Sequence, residues 1–197
     1  IAYNDIPVNC DHSVRGGVMV LDGFESAFLG LKRQLPLSNN EDAMGADWGY
    51  FYLSGESAYI LDEMDLAAYL AGGKKAFLNA AEERYIGSVN GSPKGMVMLG
   101  YDDIVSIDYF GRFLKGYYLD EHTITEALEE VFHNHDRMNE KLAAFENNLQ
   151  EKAKEYGEEY LNVLYASLRQ SVAAHKLVKD QDGSVLFLSK ECCSNGC

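Results

Sequence analysis

The octapeptide DWGYFYLS, residues 47–54, is dense in aromatic and apolar side chains. In chain order these are Trp48, Tyr50, Phe51, Tyr52 and Leu53. Successive side chains of a β-strand point to opposite faces, so the three at even positions share one face and Phe51 and Leu53 share the other. The pattern therefore predicts a strand that is covered on both faces.

Residues 1–112 contain further segments that predict strands. Short apolar runs with interspersed glycines follow one another, namely GGVMVL, MVMLGYDD and IVSIDYF. Such runs are typical of strands. Between them DEMDLAAYLAGGKKAF, residues 62–77, predicts a short helix that ends at Gly72–Gly73, because glycine accepts the backbone conformation that stops a helix.

After Tyr118 the sequence becomes helical in character. Thr123 and Glu126 have the spacing of a capping box, which satisfies two backbone N–H groups at a helix start. A stripe with spacings of three and four residues follows: Leu128, Val131, His135, Met138, Leu142, Phe145 and Leu149. This periodicity predicts one long amphipathic helix that ends near Gly157.

A second helix is predicted from Glu158 to Lys179. It carries few charges before Lys176, and a helix that is apolar on several sides is expected to be buried against more than one neighbour. The two helices would form an αα-hairpin. Beyond it, VKDQDGSVLFLS predicts a β-hairpin that turns at Asp182–Gly183. Strands followed by helices make the predicted class α+β.

Composition favours a folded protein whose partner is a small molecule or another protein. The chain has 197 residues, of which 47% are hydrophobic, enough for a sizeable core. A net charge of -14 disfavours nucleic acid and anionic membrane surfaces as partners. We expect no membrane span, because no apolar run approaches the roughly 18 residues that a span needs. The first residues also lack the pattern of a signal peptide.

The four cysteines are Cys10, Cys192, Cys193 and Cys197. Their spacing does not give the paired C-x2-C sets of a zinc site, so we expect no structural metal. Free thiols are the favoured interpretation, and a bridge to Cys10 depends on geometry that the sequence does not supply.

Four segments resemble, in order and in separation, the glutaminase A family. They are DWGYFYLS (47–54), MLGYDDIVSIDYFG (98–111), LRQSVAAHKLVKDQDGSVLFLSKE (168–191) and SNG (194–196). The resemblance implies an antiparallel β-sandwich-like domain joined to a six-hairpin (α/α) toroid, in a secreted or periplasmic protein. The chain then resembles an internal fragment, with the end of the β domain in 1–112 and a linker in 113–122. Residues 123–197 would be the first helical hairpin and site loop of the incomplete toroid.

The resemblance also implies a reaction. The intact protein would hydrolyse L-glutamine to L-glutamate and ammonia, without a cofactor, and the fragment alone is expected to be inactive because one hairpin of a toroid cannot enclose a site. Its partners would be a small-molecule substrate, glutamine or a sugar, and the missing remainder of the parent chain. The second helix should expose apolar surface where that remainder is lacking.

Candidate catalytic residues lie in SKECCSNG, residues 189–196. Amide hydrolysis needs a base, donors for the developing oxyanion, and charges that hold the ammonium and carboxylate of the amino acid. Glu191 is the candidate base or ammonium anchor and Lys190 the carboxylate anchor, while Ser194 and Asn195 are candidate donors. The structural alternative makes Glu191 an ion-pair partner, Lys190 a surface residue and the Ser-Asn-Gly stretch a simple turn.

A second group consists of Tyr101, Asp102 and Asp103. Tyr101 and Asp102 are candidate substrate-binding residues, since paired acids bind cations or transfer protons. Adjacent side chains on a strand point to opposite faces, so we expect one of the two acids to cap a turn and the other to face out. Their place before the helices favours a role at the domain interface.

Several cationic residues on the helices have mainly structural interpretations. Arg169 and His175 are expected on a mostly buried helix, where they need polar partners, and catalysis by His175 is the weaker interpretation. On a helix His133 and His135 lie about 200° apart and cannot bind one ion together. His135 is expected to be a hydrogen-bonded core histidine.

Two further functions stay open. A carbohydrate-active (α/α)-toroid protein of glycosidase type would use the aromatic residues of WGYFY to stack on sugars, and it requires a second carboxylate opposite Glu191. The third alternative is a non-catalytic fragment. Fold alone does not choose among them.

Overall fold

The computed structural model describes residues 2–4, 14–32, 34, 49–62, 83–92, 94–119 and 121–189. Within them the chain has eleven β-strands and two α-helices. Every strand pairing is antiparallel. The class is therefore α+β. The predicted helix at 62–77 lies outside the described residues, except for Asp62, which ends a strand.

The strands form three sheets. The outer sheet consists of β1 (Ala2–Asn4), β6 (Glu83–Val89) and β5 (Ser57–Asp62), in that order. The central sheet has the order β2 (Val14–Leu21), β3 (Phe24–Leu31), β4 (Tyr50–Gly55) and β7 (Met98–Asp102). The C-terminal sheet has the order β11 (Val185–Ser189), β10 (His175–Lys179), β9 (Arg112–Gly116) and β8 (Ile107–Tyr109).

The strand predicted from DWGYFYLS is an inner strand of the central sheet. As β4, it pairs with β3 on one side and β7 on the other. Tyr50 and Tyr52 are buried in one cluster, and Leu53 is buried in another on the opposite face. The prediction that both faces are covered is confirmed. Trp48 lies outside the described residues.

The outer sheet covers one face of the central sheet. The cluster between them contains Ala27, Leu29 and Leu31 from β3, Leu53 from β4 and Ile86 from β6. These side chains alternate along β3 with those of the other face, as the two-residue period of a strand requires. Burial of each large apolar side chain stabilises the fold by about 1.5–3 kcal/mol.

The first helix, α1 (Ile124–Ala153), covers the opposite face. Leu128 packs among Phe24, Tyr52 and Met98, and the rings of Phe24 and Phe132 lie 4.7 Å apart. A Cβ at Gly100 would lie 3.2 Å from a Leu128 methyl carbon. The absence of a side chain there therefore lets the helix approach the backbone of β7.

The ends of α1 follow the predicted signals. Thr123 is the N-cap, and the reciprocal bonds of a capping box with Glu126 are present. The helix passes into a 3-10 turn (Lys154–Tyr156), and Gly157, with φ of +93°, separates it from α2 (Glu158–Ala174). A positive φ is easily adopted by glycine, which explains why the helix breaks at this residue. The predicted capping box and helix break are confirmed.

The predicted end of the second helix is wrong. The helix ends at Ala174 rather than Lys179, because His175–Lys179 forms β10 and pairs with both β9 and β11. Val178 becomes fully buried in that sheet, so packing overrides helical continuation. Val163 and Val172 of α2 are 62% and 71% exposed, which agrees with the expectation that this helix exposes apolar surface in this chain.

The predicted β-hairpin is present with a longer loop. β10 and β11 pair from His175 opposite Ser189 to Lys179 opposite Val185, so residues 180–184 form the connection. Gly183 has φ of +84°, as the predicted turn requires. The core of the C-terminal sheet is Ile107, Leu114 and Val178. This sheet thus contains strands from both sides of residues 117–174.

Truncation of one buried and one exposed leucine should show how much core packing contributes to stability. Leu29 is 0% exposed, so Leu29→Ala should lower the free energy of unfolding by about 2–5 kcal/mol, measured by urea denaturation. Leu99→Ala on β7 removes the same atoms from a side chain that is 71% exposed, and should cost less than about 1 kcal/mol. Equal losses in the two variants would contradict the described core.

Candidate functional site

A cleft of about 340 Å³ lies where the central sheet, the C-terminal sheet and the start of α1 meet. Its lining combines both signs of charge with a few apolar residues. The lining residues are Asp102, Asp103, Ile104, Lys115, Gly116, Leu119, Glu121, His122, Thr123 and Ile124. A concave junction with a few polar groups is the ordinary form of a small-molecule site.

Asp102 is the acidic group of this cleft whose pKa is raised. Its Oδ1 accepts a hydrogen bond from the backbone N–H of Ile104 at 2.8 Å, which caps the turn after β7. Burial raises the pKa of Asp102, and the charge of Asp103 acts in the same direction, whereas the Ile104 N–H and Lys115 oppose it. A carboxyl group that holds its proton more tightly than usual is suited to proton transfer.

Asp103 is held by an ion pair that is largely shielded from solvent. Lys176 Nζ on β10 lies 2.5 Å from Asp103 Oδ2, and both side chains are 15% exposed. Lys176 also donates to the Ser106 carbonyl at 3.0 Å, while the Ser106 hydroxyl donates to Asp103 Oδ2 at 2.7 Å. The expectation that one acid caps a turn is confirmed by Asp102. The expectation that the other faces out is wrong, because Asp103 turns inward to these partners.

The backbone at Ile104 explains why the two acids share one cleft. β7 ends at Asp102, so the alternation of a strand no longer applies to Asp103. Ile104 follows with φ of +56°, a conformation that is rare for a β-branched residue and costs of order 1–3 kcal/mol. Such strain persists where the surrounding contacts over-determine the turn, and here they are the Asp102 cap and the Asp103 ion pair.

The start of α1 forms the opposite wall. Glu121 is bonded to Lys179, which lowers the pKa of that carboxyl, and the His122 ring stacks on Tyr118 at 4.6 Å. A hydrogen bond to Glu130 raises the pKa of Tyr118 to about 12. The N-terminal end of a helix carries a partial positive charge, so this wall adds to the positive charge of Lys115.

The structure brings together only part of the predicted site. Asp102 lines the cleft, whereas Tyr101 is absent from its lining and its ring packs against Phe51 at 4.8 Å. Lys190, Glu191, Ser194 and Asn195 lie outside the described residues, as do all four cysteines. The last described residue, Ser189, pairs with His175, the neighbour of Lys176.

The histidines and Arg169 have structural partners or are exposed. His175 begins β10 rather than lying on the second helix; its ring stacks on Phe187 at 4.5 Å and its Nδ1 lies 2.6 Å from the Ser171 carbonyl. His135 lies 3.1 Å from the Phe132 carbonyl but is only half-buried, so it is not a core histidine. Arg169 is exposed, contrary to the expected burial.

Neither Lys115 nor His122 was predicted as part of a site, and the ion pair between Lys176 and Asp103 was not predicted. Lys115 lies on β9, Lys176 on β10 and His122 just before α1, and no local pattern indicates that pairing brings them to this region. A sequence signal existed only for Thr123, whose capping-box partner marks the start of α1.

No family model, curated protein or solved structure matches the chain. Within the described part of the chain, no group of three or more His, Cys, Asp or Glu side chains is arranged to hold a metal ion. Neither described helix is long and apolar enough to cross a membrane.

Substitution of Lys176 should show how much its ion pair with Asp103 contributes to the free energy of unfolding. Lys176→Met leaves the Asp103 charge without its cation and should cost about 3–5 kcal/mol of unfolding free energy, measured by urea denaturation. The double variant Lys176→Met/Asp103→Leu should recover much of this loss, because no buried charge remains unpaired. Lys94→Met, at an exposed turn, should change stability by less than about 0.5 kcal/mol. A Lys176 variant as stable as the Lys94 variant would disprove the role of the pair.

Asp102→Asn should stabilise the protein increasingly as pH rises. The pKa of Asp102 in the folded state is raised above its ordinary value of 3.8. Below that pH the burial of Asp102 costs no stability. The loss of unfolding free energy is complete once the carboxyl ionises in the folded protein. Asparagine keeps an oxygen that accepts from the Ile104 N–H but never ionises. Urea denaturation between about pH 4 and about pH 7 measures the difference between variant and wild type. A difference that shrinks with rising pH would contradict the assigned burial.

Proposed function

We propose that the chain belongs to an amidohydrolase of glutaminase A type, which converts L-glutamine to L-glutamate and ammonia in the intact protein. In this proposal the outer and central sheets are the end of a β-sandwich-like domain. The two helices are the first hairpin of an (α/α) toroid, and the intact protein acts in a secreted or periplasmic setting. The cleft beside Asp102 holds the amino-acid end of the substrate.

One observation carries the proposal: a carboxyl group and an ammonium group line the same cleft. Asp102 stands at the end of β7 and Lys115 on β9. The other two acids of the cleft, Asp103 and Glu121, are already engaged by lysines. A free amino acid carries one charge of each sign, so Asp102 and Lys115 complement its ammonium and carboxylate.

The proposed chemistry divides between the cleft and the site loop. Asp102 binds the substrate ammonium and accepts a proton when needed, because its affinity for protons is raised by burial. Glu191 on the loop activates the attacking water, and Lys190 adds to the carboxylate anchor. Ser194 and Asn195 donate hydrogen bonds to the oxyanion that develops on the side-chain amide. No cofactor takes part in this scheme.

The glycosidase alternative receives less support from the cleft. It requires two carboxyl groups free to act on one glycosidic bond. Asp103 is the nearest companion of Asp102 in sequence, but its Oδ2 is bound by Lys176 and Ser106. That engagement leaves Asp102 as the better candidate to bind a substrate, and the charges of Asp102 and Lys115 together complement an amino acid more closely than an uncharged sugar.

Titration with L-glutamine, followed by the amide NMR signals of the 197-residue chain, tests the proposal. The signals of Ile104, Lys115 and Thr123 should shift, because these residues line the cleft. Asp102→Asn removes the partner of the substrate ammonium and should weaken binding at least about tenfold, or about 1.4 kcal/mol.

Asp108→Asn is the matched control. Asp108 accepts a hydrogen bond from Gly111 in the neighbouring turn and is not among the lining residues of the cleft. It should bind glutamine as the wild type does. Equal weakening in both variants, or shifts that avoid the cleft, would refute the amino-acid site. Shifts caused by maltose but not by glutamine would favour the glycosidase alternative.

A further inference from the structure

The second half of α1 leaves part of its apolar stripe uncovered. Leu128, near the start of the stripe, is buried against the central sheet. Leu142 and Phe145, further along, are 63% and 53% exposed. We call the stretch that contains Met138, Leu142, Phe145 and Leu149 the seam. α2 contacts α1 near their connection, where Gln150 donates to the Tyr165 hydroxyl at 3.0 Å, but it does not cover Leu142 and Phe145.

The spacing of the seam points to a helix as its partner. The seam ends the longer stripe from Leu128 to Leu149, whose steps alternate between three and four residues and average 3.5 residues. That repeat is the one that places apolar side chains of one helix into the gaps of another. α1 is 30 residues long, about 45 Å, so the seam lies well away from the sheet that covers Leu128.

The charges beside the seam fit a second copy of the same chain. The flanking positions carry Asn139, Lys141, Glu146 and Asn148, so two identical seams meet without an excess of one charge. The whole chain has a net charge of -14, which opposes contact between copies over most of the surface. Residues 136–174 contain five basic and seven acidic residues, so only two of the fourteen excess negative charges lie there.

We propose that two copies of this chain associate through the seam, with the α1 helices antiparallel. The antiparallel arrangement places the two central sheets at opposite ends of the helix pair. The bulk and negative charge of the two β parts are then far apart, whereas a parallel arrangement would bring them together. Leu142 and Phe145 of each copy fill the gaps of the other. This association does not depend on amide hydrolysis.

Sedimentation equilibrium over a roughly hundredfold range of concentration measures the association of the 197-residue chain. We expect a reversible monomer–dimer equilibrium. Leu142→Glu/Phe145→Glu should be monomeric throughout, because charges would be buried in the interface. Leu99→Glu/Phe187→Glu changes the same residue types at other exposed positions, adds the same charge, and should still dimerise.

A gentler variant keeps the seam itself intact. Asn139→Glu faces Glu146 of the other copy in the antiparallel arrangement, so it should weaken the dimer at low salt and regain affinity at high salt. A wild-type chain that stays monomeric over the whole range overturns the proposal. So does association that survives in the seam variant, that is lost equally in the control, or that ignores Asn139→Glu at low salt. Because glutamine binding is measured at the cleft, failure of one proposal leaves the other standing.

Discussion

Burial of the central sheet on both faces is the constraint on which the rest of the described structure depends. Its inner strands carry large apolar side chains in both directions, so a single covering layer would leave half of them in water. The outer sheet covers Leu29 and Leu53, and α1 covers Tyr52 through Leu128. The helix and the outer sheet pack on opposite faces, and each is needed because of the same two strands.

The junction between the central and C-terminal sheets is held by an ion pair in addition to apolar packing. Asp103 and Lys176 are 73 residues apart in sequence, and their contact ties the end of the central sheet to the strand that follows both helices. The pair also selects which acid remains available. With Asp103 neutralised and Ile104 in an unusual backbone conformation, Asp102 is left partly buried without a cation at ion-pair distance among the described residues. Local rules are broken here together, as is common at sites that act on ligands.

Local patterns in the sequence were sufficient for some elements. The alternation in 47–54 and the capping box of Thr123 and Glu126 depend on neighbours within a few residues, and both were predicted correctly. The change from α2 to β10 was not, because His175–Lys179 pairs with β9, far back in the chain, as well as with β11. Long-range pairing also explains why most residues of the candidate site were not predicted. Asp102 was found from sequence, but Lys115 and Lys176 reach the region through long-range pairing that no short pattern encodes.

The pairing of β9 with β10, which lie on either side of the two helices in sequence, also affects the rate of folding. Helices form from local contacts in about a microsecond, whereas strands distant in sequence must first overcome the entropy of closing a long loop. Once the two helices have formed, fewer residues between β9 and β10 remain free, so the loop that must close is effectively shorter. The C-terminal sheet is then completed late, and a slow step in refolding would report the helices acting as a template for its closure.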